Sequence, residues 1–184
     1  MPKKVSTHRH FADDFTYGVK GRTREEYFQE CSLLLDQLQG TQWTGWNPNW
    51  LTRVGQRCTL TGIIKKVRFW FYRTGDPTGS IYCRIRRRSD DVILQTSSLV
   101  LNIPDIPTSD TMYEFPFDLE VDNLEIRISL EVVANVPPYW ETGVREVRIC
   151  YIGTDVCQGG EIEYTTYWIE WMTYDCKIQV LGVP

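Results

Sequence analysis

Along three stretches of this chain, apolar and polar side chains alternate residue by residue. Val67, Phe69 and Phe71 alternate with Arg68, Trp70 and Tyr72, and Ile81, Cys83 and Ile85 with Tyr82, Arg84 and Arg86. The longest case runs from Leu124 through Ile126, Ile128, Leu130 and Val132, interleaved with Glu125, Arg127, Ser129 and Glu131. A period of two buries one face of a strand and wets the other, as antiparallel sheets require. The period sets in after Cys58, and further strands are expected at 92–101, 111–119, 144–152, 161–171 and 174–181. Turn signals separate them: Gly75-Asp76-Pro77-Thr78-Gly79, Asp90-Asp91, Pro104–Pro107, Asp122-Asn123, Asn135–Pro138, Gly153-Thr154-Asp155 and Gly159-Gly160. About eight short strands with such punctuation predict an all-β fold, a sandwich or jelly roll rather than a βαβ protein.

The first 58 residues lack this period. Residues 1–22 are polar, with a short aromatic element of Phe11, Phe15 and Tyr17, and read as an extended arm that orders only on docking. Thr23 and Glu26 stand in capping-box positions, and Phe28, Cys31, Leu34/Leu35 and Leu38 recur at helical spacing up to Gly40. That spacing predicts one short helix, with a buried strand through Cys31–Leu35 as the competing reading. From Thr41 to Trp50 the chain reads TQWTGWNPNW, placing Trp43, Trp46 and Trp50 among Gly, Asn and Pro. Pro48 removes a ladder donor, so this segment is expected to be irregular. The division is then an arm at 1–22, a helix and Trp-rich connector at 23–58, and a sandwich at 59–184.

Composition adds one unusual feature. The chain of 184 residues contains seven Trp, ten Tyr and seven Phe, and aromatics favour strands, interfaces and sugar-binding platforms. A net charge of −4 gives no electrostatic case for nucleic acid. The one basic cluster, Arg84-Ile85-Arg86-Arg87-Arg88, alternates partly with apolar positions and reads as the wet face of a strand. No apolar h-region follows Met1-Pro2-Lys3-Lys4 and no run of 18 apolar residues occurs, so neither a signal peptide nor a membrane span is expected. Six cysteines occur without a C-x-x-C pair, which argues against a zinc ribbon or thioredoxin-like motif. Cys83 shares parity with Ile81 and Ile85 and reads as a small buried hydrophobe. Cys150 and Cys157 flank a turn, and whether they pair is open.

The order of elements in Ile64–Leu130 supports a resemblance. A strand KVRFWFYR leads to the turn Gly75-Asp76-Pro77-Thr78-Gly79 and a strand IYCRI. A short acidic turn, Thr96-Ser97-Ser98, the alternation Tyr113, Phe115, Phe117 and the strand from Leu124 to Leu130 follow. This pattern resembles carbohydrate-binding-module-like jelly-roll domains, which recur in phage and archaeal-virus particle proteins, tail and fibre appendages and microbial surface proteins. The resemblance covers roughly residues 60–155. It implies a jelly-roll-like antiparallel β-sandwich located in a virion or on an extracellular surface; joined to the reading of the first 58 residues, the expected fold is such a sandwich with an N-terminal extended arm and one short helix. The motifs themselves have scaffold reasons: Pro77 and its glycines build a tight connection, and Thr96 and Ser97 hydroxyls can satisfy backbone groups at a strand start.

Candidate chemistry is sparse. His8 and His10 both fall in the arm, where a catalytic histidine would lack a rigid pocket and an orienting partner. No G-x-S-x-G, P-loop, H-E-x-x-H or EF-hand pattern occurs. Glu161, Glu163 and Glu170 could supply a glycosidase pair, but their strand pattern reads as a solvated face. Asp13-Asp14 and Asp90-Asp91 carry oxygen ligands suited to calcium, yet no ligand set assembles from sequence, so no metal and no cofactor is expected. The binding or assembly candidates are Trp43, Trp46, Trp50, Tyr139, Trp140, Phe11, Phe15 and Tyr17, as sugar platforms, protein anchors or lids over the core. The expectation is a non-enzymatic structural or assembly protein whose partners are further copies of itself or other particle proteins. The alternative is a lectin-like module that binds surface glycans, and a glycan-processing enzyme is third.

Overall fold

The computed structural model describes residues 32–37, 42–46, 53–133, 146–152, 160–164, 167–170 and 175–184. All lie within Cys31–Pro184, one of two units into which the chain divides. Eleven strands form there: β1 Ser32–Gln37, β2 Gln42–Trp46, β3 Arg53–Thr74, β4 Ser80–Arg87, β5 Ile93–Asn102, β6 Thr111–Val133, β7 Glu146–Ile152, β8 Gly160–Tyr164, β9 Tyr167–Glu170, β10 Asp175–Cys176 and β11 Ile178–Val183. A 3₁₀ turn spans Ile103–Asp105. Every ladder is antiparallel, and no α-helix occurs among the described residues. The all-β expectation holds.

One sheet runs in the order β1-β11-β3-β6-β4-β5, with β3 and β6 as its spine. These strands of 22 and 23 residues pair from Arg53 opposite Glu131 to Phe71 opposite Thr111. The other edge of β3 is shared along its length by β8 at Arg53–Gln56, β11 at Ile63–Phe69 and β7 at Phe71–Thr74. Beyond them β7 pairs β2 and β10, and β8 pairs β9.

Alternation produces the core where it was read. Val67, Phe69, Phe71, Ile81, Cys83, Ile85, Ile126, Ile128 and Leu130 are buried, and each large apolar side chain taken from water is worth roughly 1.5–3 kcal/mol. Phe69 meets Phe115 edge to face at 6.4 Å, and Phe71 stacks on Tyr113 at 4.4 Å.

Three expectations change. First, Asp122-Asn123 is not a turn between two strands but a bulge within β6. Between Leu60↔Leu124 and Gly62↔Val121 the strand β3 advances two residues while β6 advances three. Asn123 takes φ 43° and Gly62 φ 120°, and the Asn123 N–H donates to Thr61 Oγ1 at 2.9 Å. The extra residue switches the buried parity of β6 from Ile126 and Ile128 to Val121, Phe117 and Phe115, so both halves keep their apolar residues in the core.

Second, the helix expected from Thr23 to Leu38 is absent over its described half. Ser32–Gln37 is β1, antiparallel to β11 with Leu33 opposite Leu181 and Gln37 opposite Ile178. A short apolar run such as Leu33-Leu34-Leu35 fits either period, and pairing with β11 decides it; the competing reading matches as a strand but not as a buried one, since Leu33 is exposed and Leu34 and Leu35 are only partly buried. Residues 23–31 lie outside the described residues. Third, Gln42–Trp46 is a strand, paired with β7, rather than irregular. Trp and Thr suit a pleated surface, and the strand ends at Trp46, before Pro48 in the sequence.

Candidate functional site

Of the aromatic candidates, Trp43 and Trp46 sit on β2, opposite Cys150 and Val147 of β7 respectively. Trp50, Tyr139, Trp140, Phe11, Phe15 and Tyr17 lie outside the described residues, as do His8, His10, Asp13 and Asp14. Cys157 does too, so its pairing with Cys150 is not described. What the structure does assemble is a group that the sequence pattern places in water.

The polar positions of β3, β6 and β4 line up in rows across the sheet. Arg53, Glu131 and Tyr82 share one row, Gly55, Ser129 and Arg84 the next, and Arg57, Arg127 and Arg86 the third. Glu131 is 5% exposed and Arg86 7%, so the wet-face reading fails for the centre of the basic cluster. Arg86 grips Glu131 with both prongs, Nε to Oε1 at 2.8 Å and Nη2 to Oε2 at 3.2 Å. Arg84 Nη1 also donates to Glu131, Ser129 Oγ donates at 3.1 Å, and Arg53 Nε stands 3.8 Å away. Burial pushes the Glu131 carboxyl up, but the Arg86 hydrogen bonds and the charges of Arg86, Arg84 and Arg53 outweigh it and hold it below its ordinary value. Behind it, burial first and the Glu131 charge second push the Cys83 thiol well above the usual range.

The same arginines hold the turn that starts β5. Asp91, in the left-handed region at φ 57°, receives Arg53 Nη1 at 3.0 Å, Arg86 Nη1 at 3.3 Å and Arg127 Nη1 at 3.4 Å. Arg86 also donates to the Asp91 carbonyl at 2.9 Å. Three strands thus fix one turn. The far end of β5 is tied as well. Ile103 N–H donates to the Gly79 carbonyl at 3.0 Å, and Arg73 donates from Nε to Ile106 O at 2.7 Å and from its backbone to Pro107 O at 3.0 Å. Buried Ile103 and Ile106 seat that corner in the core.

Between these anchors, β5 reads ILQTSSLVLN, without a charge, a proline or a glycine. Leu94, Leu99 and Leu101 pack on the core, and Ser97 Oγ accepts the Leu99 N–H at 3.2 Å. β5 ends the strand order, with β4 as its one ladder neighbour among the described strands. Ile93 and Val100 stand 43 and 44% exposed along it, and Val92 just before it is 48% exposed. Natural edge strands are usually short, charged or covered, because unpaired backbone groups recruit other strands; β5 is long and neutral. Sequence reading placed this strand but not its position at the edge. The signal was there: ten uncharged residues between two turn segments.

Elsewhere, a shallow recess of about 290 Å³ is lined by Leu34, Leu35, Arg57, Cys58, Thr59, Leu60 and Glu125. Its rim is an Arg57–Glu125 pair at 3.6 Å. Among the described residues no group of three or more His, Cys, Asp or Glu side chains could hold a metal ion, and no helix is long and apolar enough to cross a membrane. Comparison with protein-family models and with curated proteins finds no match to this chain. The functional reading therefore rests on geometry.

Proposed function

We propose that this chain is a non-enzymatic assembly subunit, a jelly-roll-like sandwich that associates with its own copies into a virion or an extracellular filament. The observation that carries this reading is β5, a ten-residue uncharged edge with exposed Ile93 and Val100, preceded by exposed Val92. Its unpaired backbone donors and acceptors and its apolar side chains favour addition of a further strand. The anchored ends add to this: a strand already held in its bound shape loses little conformational freedom on association.

The test is light scattering and negative-stain imaging of the full chain across a concentration series. Rings, filaments or particles are expected. A monomer at every concentration overturns the reading, and a monomer that binds glycan arrays replaces it with the lectin-like alternative.

A further inference from the structure

We infer that the turn between β4 and β5 is an acid-released clasp, in which protonation of Asp91 frees residues 89–96 from the sheet while the second half of β5 stays bound. Every contact involved lies within one chain, so the clasp operates whether or not copies associate.

Arginine does not lose its charge in a protein, so only the carboxylates of this cluster can switch. Asp91 takes Arg53 from β3, Arg86 from β4 and Arg127 from β6. Its side chain is 34% exposed, so a proton reaches it without the sheet opening. Once neutral, it no longer offsets three guanidinium groups that converge on one point, two of them nearly buried. The surrounding acids are committed elsewhere. Glu131 is shared by Arg86, Arg84 and Arg53, Glu125 holds Arg57 and Arg88, and Asp90 holds Arg87. On β8, Glu163 stands opposite Arg53 and Glu161 opposite Gly55, and both are groups that acid discharges as well. β5 contributes no charge.

The turn is the part that yields. Arg53, Arg86, Arg127 and Glu131 sit on strands paired on both sides, whereas Asp91 lies between strands. Its left-handed backbone, φ 57°, carries strain that opening relieves. The ladder between β4 and β5 also falls into two halves. Arg84↔Thr96, Ile85↔Gln95 and Arg86↔Ile93 form one, and Ser80↔Asn102, Ile81↔Leu101 and Tyr82↔Val100 the other; between them β4 advances two residues and β5 four. Such a bulge interrupts the ladder, so opening of one half stops there. Apart from the clasp, the first half is held by partly buried Leu94 and by a bond from the Asp118 N–H to Gln95 Oε1 at 3.2 Å. The second half keeps Leu99, Leu101, buried Ile103 and Ile106, and the Ile103–Gly79 backbone bond, none of which titrates.

The test is hydrogen exchange of the full chain at neutral pH and at about pH 3, below the ordinary carboxylate range, expressed as protection factors so that the intrinsic pH dependence of exchange cancels. Protection of residues 89–96 is expected to fall about tenfold or more in acid, while residues 99–106 and the β3–β6 spine change by about twofold or less. Asp91→Asn keeps a side chain that tolerates the left-handed backbone but cannot ionise. It is expected to open residues 89–96 at neutral pH to the same degree and to abolish their further response to acid. Asp90→Asn, at the exposed pair with Arg87, is expected to leave both states unchanged. The inference falls if residues 89–96 stay protected in acid, or if Asp91→Asn protects them at neutral pH as well as the unsubstituted chain does. It falls too if the acid loss spreads evenly over the described strands, or if Asp91→Asn unfolds the whole chain by circular dichroism, since the turn would then open only with the entire fold.

Discussion

Glu131 is the residue on which the outer face of the β3–β6–β4 ladder turns. It accepts from Arg86, Arg84 and Ser129 and is all but excluded from water. Removing one partner from such a pair leaves the others as buried, uncompensated charge, at about 3–5 kcal/mol. Glu131→Ala is therefore expected to lose about that much in urea denaturation. Glu114→Ala removes a similar-looking group, held by Arg68 Nη2 at 2.7 Å and Lys66 Nζ at 2.8 Å. Its partners are about a third exposed or more, and its loss is expected to stay within about 1 kcal/mol.

Protonation tests the same residue. The Glu131 carboxyl is held below its ordinary 4.5 in the fold, so the unfolded chain takes up a proton first as pH falls. Its contribution is then complete above 4.5 and is lost as pH drops through the lowered folded value. The denaturation midpoint is expected to fall with acid below that point, and less steeply in Glu131→Gln. Alternation identifies Glu131, Arg84 and Arg86 as polar positions of strands. It could not show that they share rows, because a row depends on register between strands more than forty residues apart in the chain, and without that register an arginine-rich strand looks solvated.

At the scale of elements, the bend in the β3–β6 ribbon depends on two backbones in the left-handed half of conformational space. Gly62 has φ 120°, and a Cβ there would lie 2.4 Å from Val183 O. Gly62→Ala is expected to destabilise by about 1–3 kcal/mol, measured by thermal melting. Asn123 stands at φ 43°, a region asparagine tolerates and glycine occupies freely. Asn123→Gly is expected to be nearly neutral, and Asn123→Val to cost about 1–2 kcal/mol. These residues were legible as a break, since Asp-Asn between two alternating runs looks like a turn. Whether a break ends a strand or bends it is decided by the partner, and β3 continues unbroken opposite. The element at Ser32–Gln37 looks helical for the same reason: its helical spacing is local, whereas β11, nearly 150 residues away, supplies the hydrogen bonds.

At the scale of the molecule, the most non-local pieces of the chain meet at β11. This strand closes the sheet between β1, near the start of the described chain, and the spine strand β3. Ile178 and Val180 are fully buried there, opposite Phe69 and Val67. Losing a buried aliphatic side chain alone costs about 2–5 kcal/mol. Deleting Ile178–Pro184 removes two of them, all the described ladder bonds of β1, and one edge of β3 from Ile63 to Phe69. That sum reaches the entire stability of an ordinary domain, about 5–15 kcal/mol. The truncated chain is expected to lose its cooperative thermal transition, followed by near-ultraviolet circular dichroism of the buried aromatics. A peptide of the deleted sequence, added in excess, should restore part of that transition, because it supplies the missing strand without the covalent link. A truncated chain that still melts cooperatively near the intact temperature would show that the β3–β6–β4–β5 half folds without its closing strand, and β11 would then be a lid rather than a keystone.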